Sequence, residues 1–126
     1  MAAKILVCDN EPPLRALVRA TLDESRYEVI EAQDGDEALW VTREHRPDLI
    51  VLDMMMPGRS GLEVVEELRR DPELAQTPVV MLTARAQSSD REAVVSAGAD
   101  RFLAKPFSPV ELISVVDELL DDRAGG

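Results

Sequence analysis

Asp9, Asp53, Thr83 and Lys105 each close a short apolar run: KILVC before Asp9, DLIVL before Asp53, VVML before Thr83 and RFLA before Lys105. Runs of this length and composition read as strands. In an open parallel sheet, ligands sit in the crevice beyond the carboxyl ends of the strands, where the strand order reverses. Four such strand ends would therefore gather two carboxylates, a hydroxyl and an ammonium at one edge. Crowded carboxylates repel and must be neutralised by a cation, a lysine or protons. Mg2+ suits the place, because it takes few protein oxygens, keeps several waters and bridges to phosphate oxygens. The chemistry expected is that of a divalent cation and a phosphoryl group.

Asp53 is the centre of this expectation. A carboxylate after so apolar a strand either binds a hard cation or acts as a nucleophile and forms an acyl phosphate. Taken alone it could equally be a helix cap or a solvated loop charge. Asn10, next to Asp9, offers an amide oxygen to a cation but no charge. A main-chain carbonyl in the Asp53–Met55 turn can supply another oxygen. Lys105, followed by Pro106, can neutralise Asp53 at rest and a phosphoryl oxygen later. Thr83 can donate its hydroxyl to such an oxygen, and the small Ala84 after it leaves access open.

These residues need a frame. Short apolar runs alternate with longer helical patterns, the signature of βαβ units and a parallel sheet. The expected strands are 4–8, 27–32, 49–53, 79–83 and 100–104; the expected helices are 12–25, 35–45, 61–70, 88–97 and 109–121. Pro12 and Pro13 suit the first turn of the first helix, where their missing donors cost nothing. Asp34 with Glu37, and Ser108 with Pro109 and Glu111, read as capped helix starts, and Gly98 reads as a left-handed C-cap. Leu112, Val115, Val116 and Leu119 give the last helix one apolar stripe. The run Leu49, Ile50, Val51, Leu52 is apolar without alternation, as in a central strand covered on both faces. The fold expected is a single flavodoxin-like (βα)5 doubly wound domain with strand order 2-1-3-4-5. It would span 4–121, with 122–126 as a disordered tail or linker stub.

Composition removes several function classes. The chain has 126 residues, which suits one domain. Its net charge of −11 makes it a poor partner for nucleic acid, which is bound by Lys and Arg replacing counterions. With 3% aromatic residues it also lacks base-stacking platforms. Cys8, the single cysteine, cannot form an internal disulfide and reads as a small buried hydrophobe. Met1 to Lys4 leads straight into a strand, and no apolar run approaches the ~20 residues of a membrane span. A cytoplasmic protein with no membrane contact is expected.

The segments KILVCDNEP, PDLIVLDMMMPGRSGLE, TPVVMLTA and GADRFLAKPF, in this order over nearly the whole chain, resemble a response-regulator receiver domain of bacterial two-component signalling. The resemblance implies that Asp53 is the phospho-acceptor, with Asp9 and the position of Asn10 in the acidic metal pocket. It implies that Thr83 is the switch hydroxyl, Lys105 the phosphate-contacting lysine and Phe102 the rotating aromatic. Receivers usually carry a second acid where this chain has Asn10, so weaker metal binding is expected. The expected function is a phosphorylation switch. Mg2+, bound by Asp9, Asn10, Asp53 and the Met55 carbonyl, would assist transfer from a histidine kinase or histidine phosphotransfer protein. The α4-β5-α5 face would then address a downstream protein or output domain, and it admits a homodimer. The chain would catalyse only its own phosphotransfer and dephosphorylation.

Two other functions stand beside this one. An Asp-nucleophile phosphatase needs a second acid soon after the nucleophile to protonate the leaving group, and positions 54–57 are Met-Met-Met-Pro. A degenerate receiver, never phosphorylated and acting as an interaction module, is the other. Among the remaining residues, Trp40 is expected to be partly exposed and His45 to sit at a helix end. Met54, Met55 and Met56 would pack or shield. Met55 and Arg85 flank the path of a water attacking the phosphorylated Asp53, and are expected to slow its hydrolysis.

Overall fold

A computed structural model describes residues 2–22, 25–84 and 88–125. The elements run β1 (Ala3–Cys8), α1 (Pro12–Thr21), β2 (Tyr27–Ala32), α2 (Gly35–His45), β3 (Leu49–Asp53), α3 (Gly61–Arg70), β4 (Val79–Thr83), α4 (Ser88–Ala97), β5 (Arg101–Ala104) and α5 (Pro109–Gly125). The five strands form one parallel sheet in the order β2-β1-β3-β4-β5. This is the flavodoxin-like arrangement expected from the alternation of apolar runs.

Period-two side-chain alternation sorts the strand residues onto two faces. Leu6 and Cys8 of β1, Ile50 and Leu52 of β3 and Val79 and Met81 of β4 join one core with α2, α3 and Val94 of α4. Ile5, Val7, Leu49, Val51, Val80 and Leu82 join the other with α1 and α5. Both faces are covered, so β3 and β4 are buried along their whole length and their sequence shows no polar alternation. Truncating a side chain such as Leu52, which is wholly buried, would cost about 2–5 kcal/mol.

Helix ends follow side-chain chemistry. Asp34 accepts from the Glu37 N–H at 2.8 Å, which starts α2. Ser108 and Glu111 exchange reciprocal bonds of 3.1 and 3.2 Å at α5. A second reciprocal capping box, Ser60 with Glu63, starts α3 and is not among the expected helix starts. Gly98 takes φ +106° after α4, as a left-handed cap requires.

Four boundaries differ from expectation. β1 begins at Ala3, one residue before position 4, where the Ala3 N–H donates to the Arg26 carbonyl. α1 stops at Thr21, four residues short of position 25, because Leu22 turns extended and buries itself in the α1/α5 core. β5 begins at Arg101, since Asp100 is spent bonding to Val79. α5 runs to Gly125, past the boundary expected at 121 and through most of the expected tail.

The amino-terminal edge of the sheet is tied by a repeated device. The Asp48 N–H donates to the Lys4 carbonyl, and the Lys4 N–H donates back to Asp48 Oδ2, at 2.7 Å each. The Asp100 N–H donates to the Val79 carbonyl at 3.0 Å, and the Val79 N–H returns to Asp100 Oδ2 at 2.8 Å. Arg69 spans this edge, donating to the carbonyls of Gly98, Ala75 and Thr77 and to Asp100.

Candidate functional site

At the opposite edge, β1, β3, β4 and β5 deliver Asp9, Asp53, Thr83 and Lys105 side by side. The register pairs Cys8 with Leu52, Asp53 with Leu82, and Thr83 with Ala104. Asp9 and Lys105 are the residues that follow Cys8 and Ala104. Asp9 is 0% exposed and Asp53 4%, and Thr83 is buried with them. Lys105 Nζ lies 3.0 Å from Asp9 Oδ2 and 3.4 Å from Asp53 Oδ1. One ammonium is thus shared by two buried carboxylates.

Lys105 was expected to answer Asp53, but its shorter contact is to Asp9. The reason is local: Asp53 Oδ1 also accepts from the Met55 N–H at 3.2 Å, whereas Asp9 receives its main-chain donor on the other oxygen, Oδ1, from Glu11 at 2.8 Å. Among the described residues, both partners of the Asp53 carboxylate fall on Oδ1. The Lys105–Pro106 peptide is cis, and the Lys105 N–H donates to the Thr83 carbonyl at 2.7 Å.

Burial, then the Asp9 charge, push the Asp53 carboxyl above its ordinary range, against the opposing Met55 N–H and Lys105. Burial alone would lower Lys105. Its hydrogen bond to Asp9 and the charges of Asp53 and Asp9 outweigh that, and its ammonium is held above the usual lysine value. Two carboxylates with one ammonium leave a residual negative charge on an all-oxygen donor set. That set fits a hard cation such as Mg2+, which favours oxygen ligands. Among the described residues, no three His, Cys, Asp or Glu side chains gather into a metal cluster; Asn10, which follows Asp9, is exposed.

Gly61 explains how closely α3 approaches the end of β3. A Cβ there would stand 2.4 Å from the Asp53 carbonyl oxygen and 2.9 Å from Met54 Cα. The Gly61 N–H donates to the Met54 carbonyl at 3.0 Å.

The three methionines divide. Met56 is buried against Cys8, Sδ to Sγ 3.4 Å, and Met54 packs on the α2/α3 core. Met55 is 71% exposed. Arg85, its expected companion, lies outside the described residues. Phe102 pairs with Met81 and is half-buried against the α2–α4 core. Ala84 is exposed. Trp40 is 60% exposed on α2, away from the apolar stripe of Ala38, Leu39, Val41 and Thr42. His45 ends α2 and lends its carbonyl to Lys4. Cys8 is buried, and burial followed by nearby carboxylates drives its thiol far above the usual range.

Sequence reasoning passed over Arg15 and Glu31. The Arg15 guanidinium bonds both the Asp9 carbonyl and Glu31. A charge one place from the end of β2, within reach of a basic helix, was the available signal. Among the described residues, no helix is long and apolar enough to cross a membrane.

The family profile described as "Response regulator receiver domain" matches residues 5–117. The phosphate regulon transcriptional regulatory protein PhoB of Escherichia coli K12 is 41% identical over 120 residues, which are 95% of this chain and 52% of that protein. The chain spans about half the length of the curated relatives it matches. The chemotaxis protein CheY4 of Vibrio cholerae superimposes with a TM-score of 0.89 at 34% identity, covering 94% of this chain and 99% of that one. The receiver domain of sensor histidine kinase PA1611 from Pseudomonas aeruginosa gives a TM-score of 0.86 at 29% identity, covering 95% and 98%, and carries a magnesium ion coordinated in its active site cleft.

Proposed function

The chain belongs to the response-regulator receiver family, and from that membership in phosphorylation-dependent signalling we propose that Asp53 accepts a phosphoryl group with Mg2+ as cofactor. The observation that carries the reading is the Lys105 ammonium shared between the buried Asp9 and Asp53. In this reading Asp53 attacks phosphorus through Oδ2 as the P–N bond of a partner phosphohistidine breaks, giving an acyl phosphate and a free imidazole. Lys105 turns from the carboxylates to a phosphoryl oxygen and takes part of its charge. Asp9, Asn10, Asp53 and the Met55 carbonyl would hold Mg2+, which when bound neutralises charge on the phosphoryl oxygens.

Thr83 then donates its hydroxyl to the phosphoryl group. Phe102, packed on the α2–α4 core, follows into the space vacated, and the α4-β5-α5 face changes. The receiver unit is taken as 4–121. The phosphate donor is a histidine kinase or histidine phosphotransfer protein, and the receiver of the signal is an output domain or separate protein. This is a population shift between two packings, driven by whatever the phosphoryl group contacts in one and not in the other.

Acetyl phosphate with Mg2+, followed by intact mass, tests the reading. A stable gain of one phosphoryl group, lost with chelator and in Asp53→Asn, supports it. Asn10 favours the second reading, a receiver that is never phosphorylated and serves as an interaction module. No mass gain in the wild-type protein would decide for that one.

A further inference from the structure

Every polar group of Asp9 is held. Its N–H donates to the Ala32 carbonyl at 3.1 Å, Oδ1 accepts from the Glu11 N–H, and Oδ2 accepts from Lys105. Its carbonyl accepts from Arg15 Nη1 at 2.6 Å. Arg15 stands on α1 with its side chain only 16% exposed, and its Nε donates to Glu31 Oε1 at 3.1 Å. Glu31 is fixed in turn by Arg19, 2.8 Å from its second oxygen. The chain of contacts runs from β2 through α1 to the peptide that joins Asp9 to Asn10.

We propose that Arg15, oriented by Glu31, is a positioning residue that sets the Asp9–Asn10 peptide for cation binding; this rests on the Mg2+ reading above. A trans peptide is planar, with its carbonyl and N–H on opposite sides. Fixing the Asp9 carbonyl toward Arg15 therefore fixes the plane from which the Asn10 side chain departs. That matters more here than in a pocket with two acids, because an amide oxygen without charge binds only where it is well placed. The guanidinium is a planar fork, with Nε to Glu31 and Nη1 to the Asp9 carbonyl. An ammonium on a flexible stem does not reproduce that geometry.

Charge and position make opposite demands, which gives the test its sign. A cation beside a metal pocket repels the metal, so removing Arg15 on charge grounds alone would tighten Mg2+ binding. Removing a positioning group weakens it. Calorimetric titration of Mg2+ into wild type, Arg15→Met, Arg15→Lys and Glu31→Gln, with thermal unfolding of each metal-free protein, separates the two. We expect both Arg15 variants to bind about tenfold more weakly, the scale seen when a metal's supporting shell is lost, and Glu31→Gln to weaken binding less. Tighter binding in Arg15→Met, or a loss of stability with unchanged affinity, would overturn the proposal. If the Arg15 variants do not fold, unchanged affinity in Glu31→Gln would overturn it. Wild-type protein that binds no Mg2+ would remove the cofactor reading and this inference with it.

Discussion

The two edges of the sheet carry nearly the same side chains and use them in opposite ways. At the amino-terminal edge, Asp48, Asp100 and Arg69 spend themselves chiefly on the main chain, closing β1 to β3 and β4 to β5. At the carboxyl edge, Asp9, Asp53 and Lys105 are spent largely on one another. An acid bonded to a strand's N–H groups has no better state to go to. Two acids that share one ammonium carry an unmet charge, and a cation or a phosphoryl group can relieve it. Residue type does not separate structure from chemistry here; the partner does.

The most severe break of this contrast exchanges one acid at each edge. Asp53→Asn should abolish labelling by acetyl phosphate completely in intact mass, while Asp100→Ala should label as wild type. Stability should respond in reverse. Asp100→Ala leaves the Val79 N–H without its side-chain acceptor and takes from Arg69 its carboxylate partner, and should cost about 1–3 kcal/mol in chemical denaturation. Asp53→Asn should stabilise the metal-free protein at neutral pH. The raised Asp53 carboxyl means that, above its unfolded value near ~3.9, the folded chain holds a proton the unfolded chain has released, so stability falls as pH rises through that window. The gain of the variant should therefore vanish below about pH 4 and grow as pH rises. A gain independent of pH would show that burial and the Asp9 charge do not hold the Asp53 carboxyl above its ordinary range.

Asn10→Asp sharpens the contrast instead. It adds a third acid to the edge that already carries excess charge, and should tighten Mg2+ by about tenfold, well within the energy of one charge near a dication at an effective dielectric of ~20. It should also lower the melting temperature without metal. Unchanged affinity would mean that position 10 does not face the cation. The smallest effect is assigned to Met55→Asn. Because Met55 is mostly in solvent, phosphate release from the labelled protein should change by no more than about twofold, the range of an exposed substitution. A larger acceleration would show that Met55 shields the phosphorylated Asp53 despite its exposure.

Much of this was legible in the sequence. The central strands announced themselves through unbroken apolar runs, and the carboxyl-edge residues through their place after those runs. The device at the other edge was not legible. Asp48 and Asp100 precede strands just as ordinary turn residues do, and their role depends on which strand lies alongside. Arg15 was hidden for a related reason: its partners are the Asp9 carbonyl, which no side-chain pattern reports, and Glu31, whose nearness is fixed only once β2 and α1 share the sheet's edge. The length of α1 was overread because Leu22 continues the helical period while its side chain leaves for the core.

Gly61 carries a consequence of another kind. Less than the space of one methyl group separates α3 from the carbonyl of the residue that would bear the phosphate. A descendant of this protein could keep Asp9, Asp53, Thr83 and Lys105 intact and still fall silent through alanine at position 61. Nothing in an inventory of its reactive groups would reveal the loss.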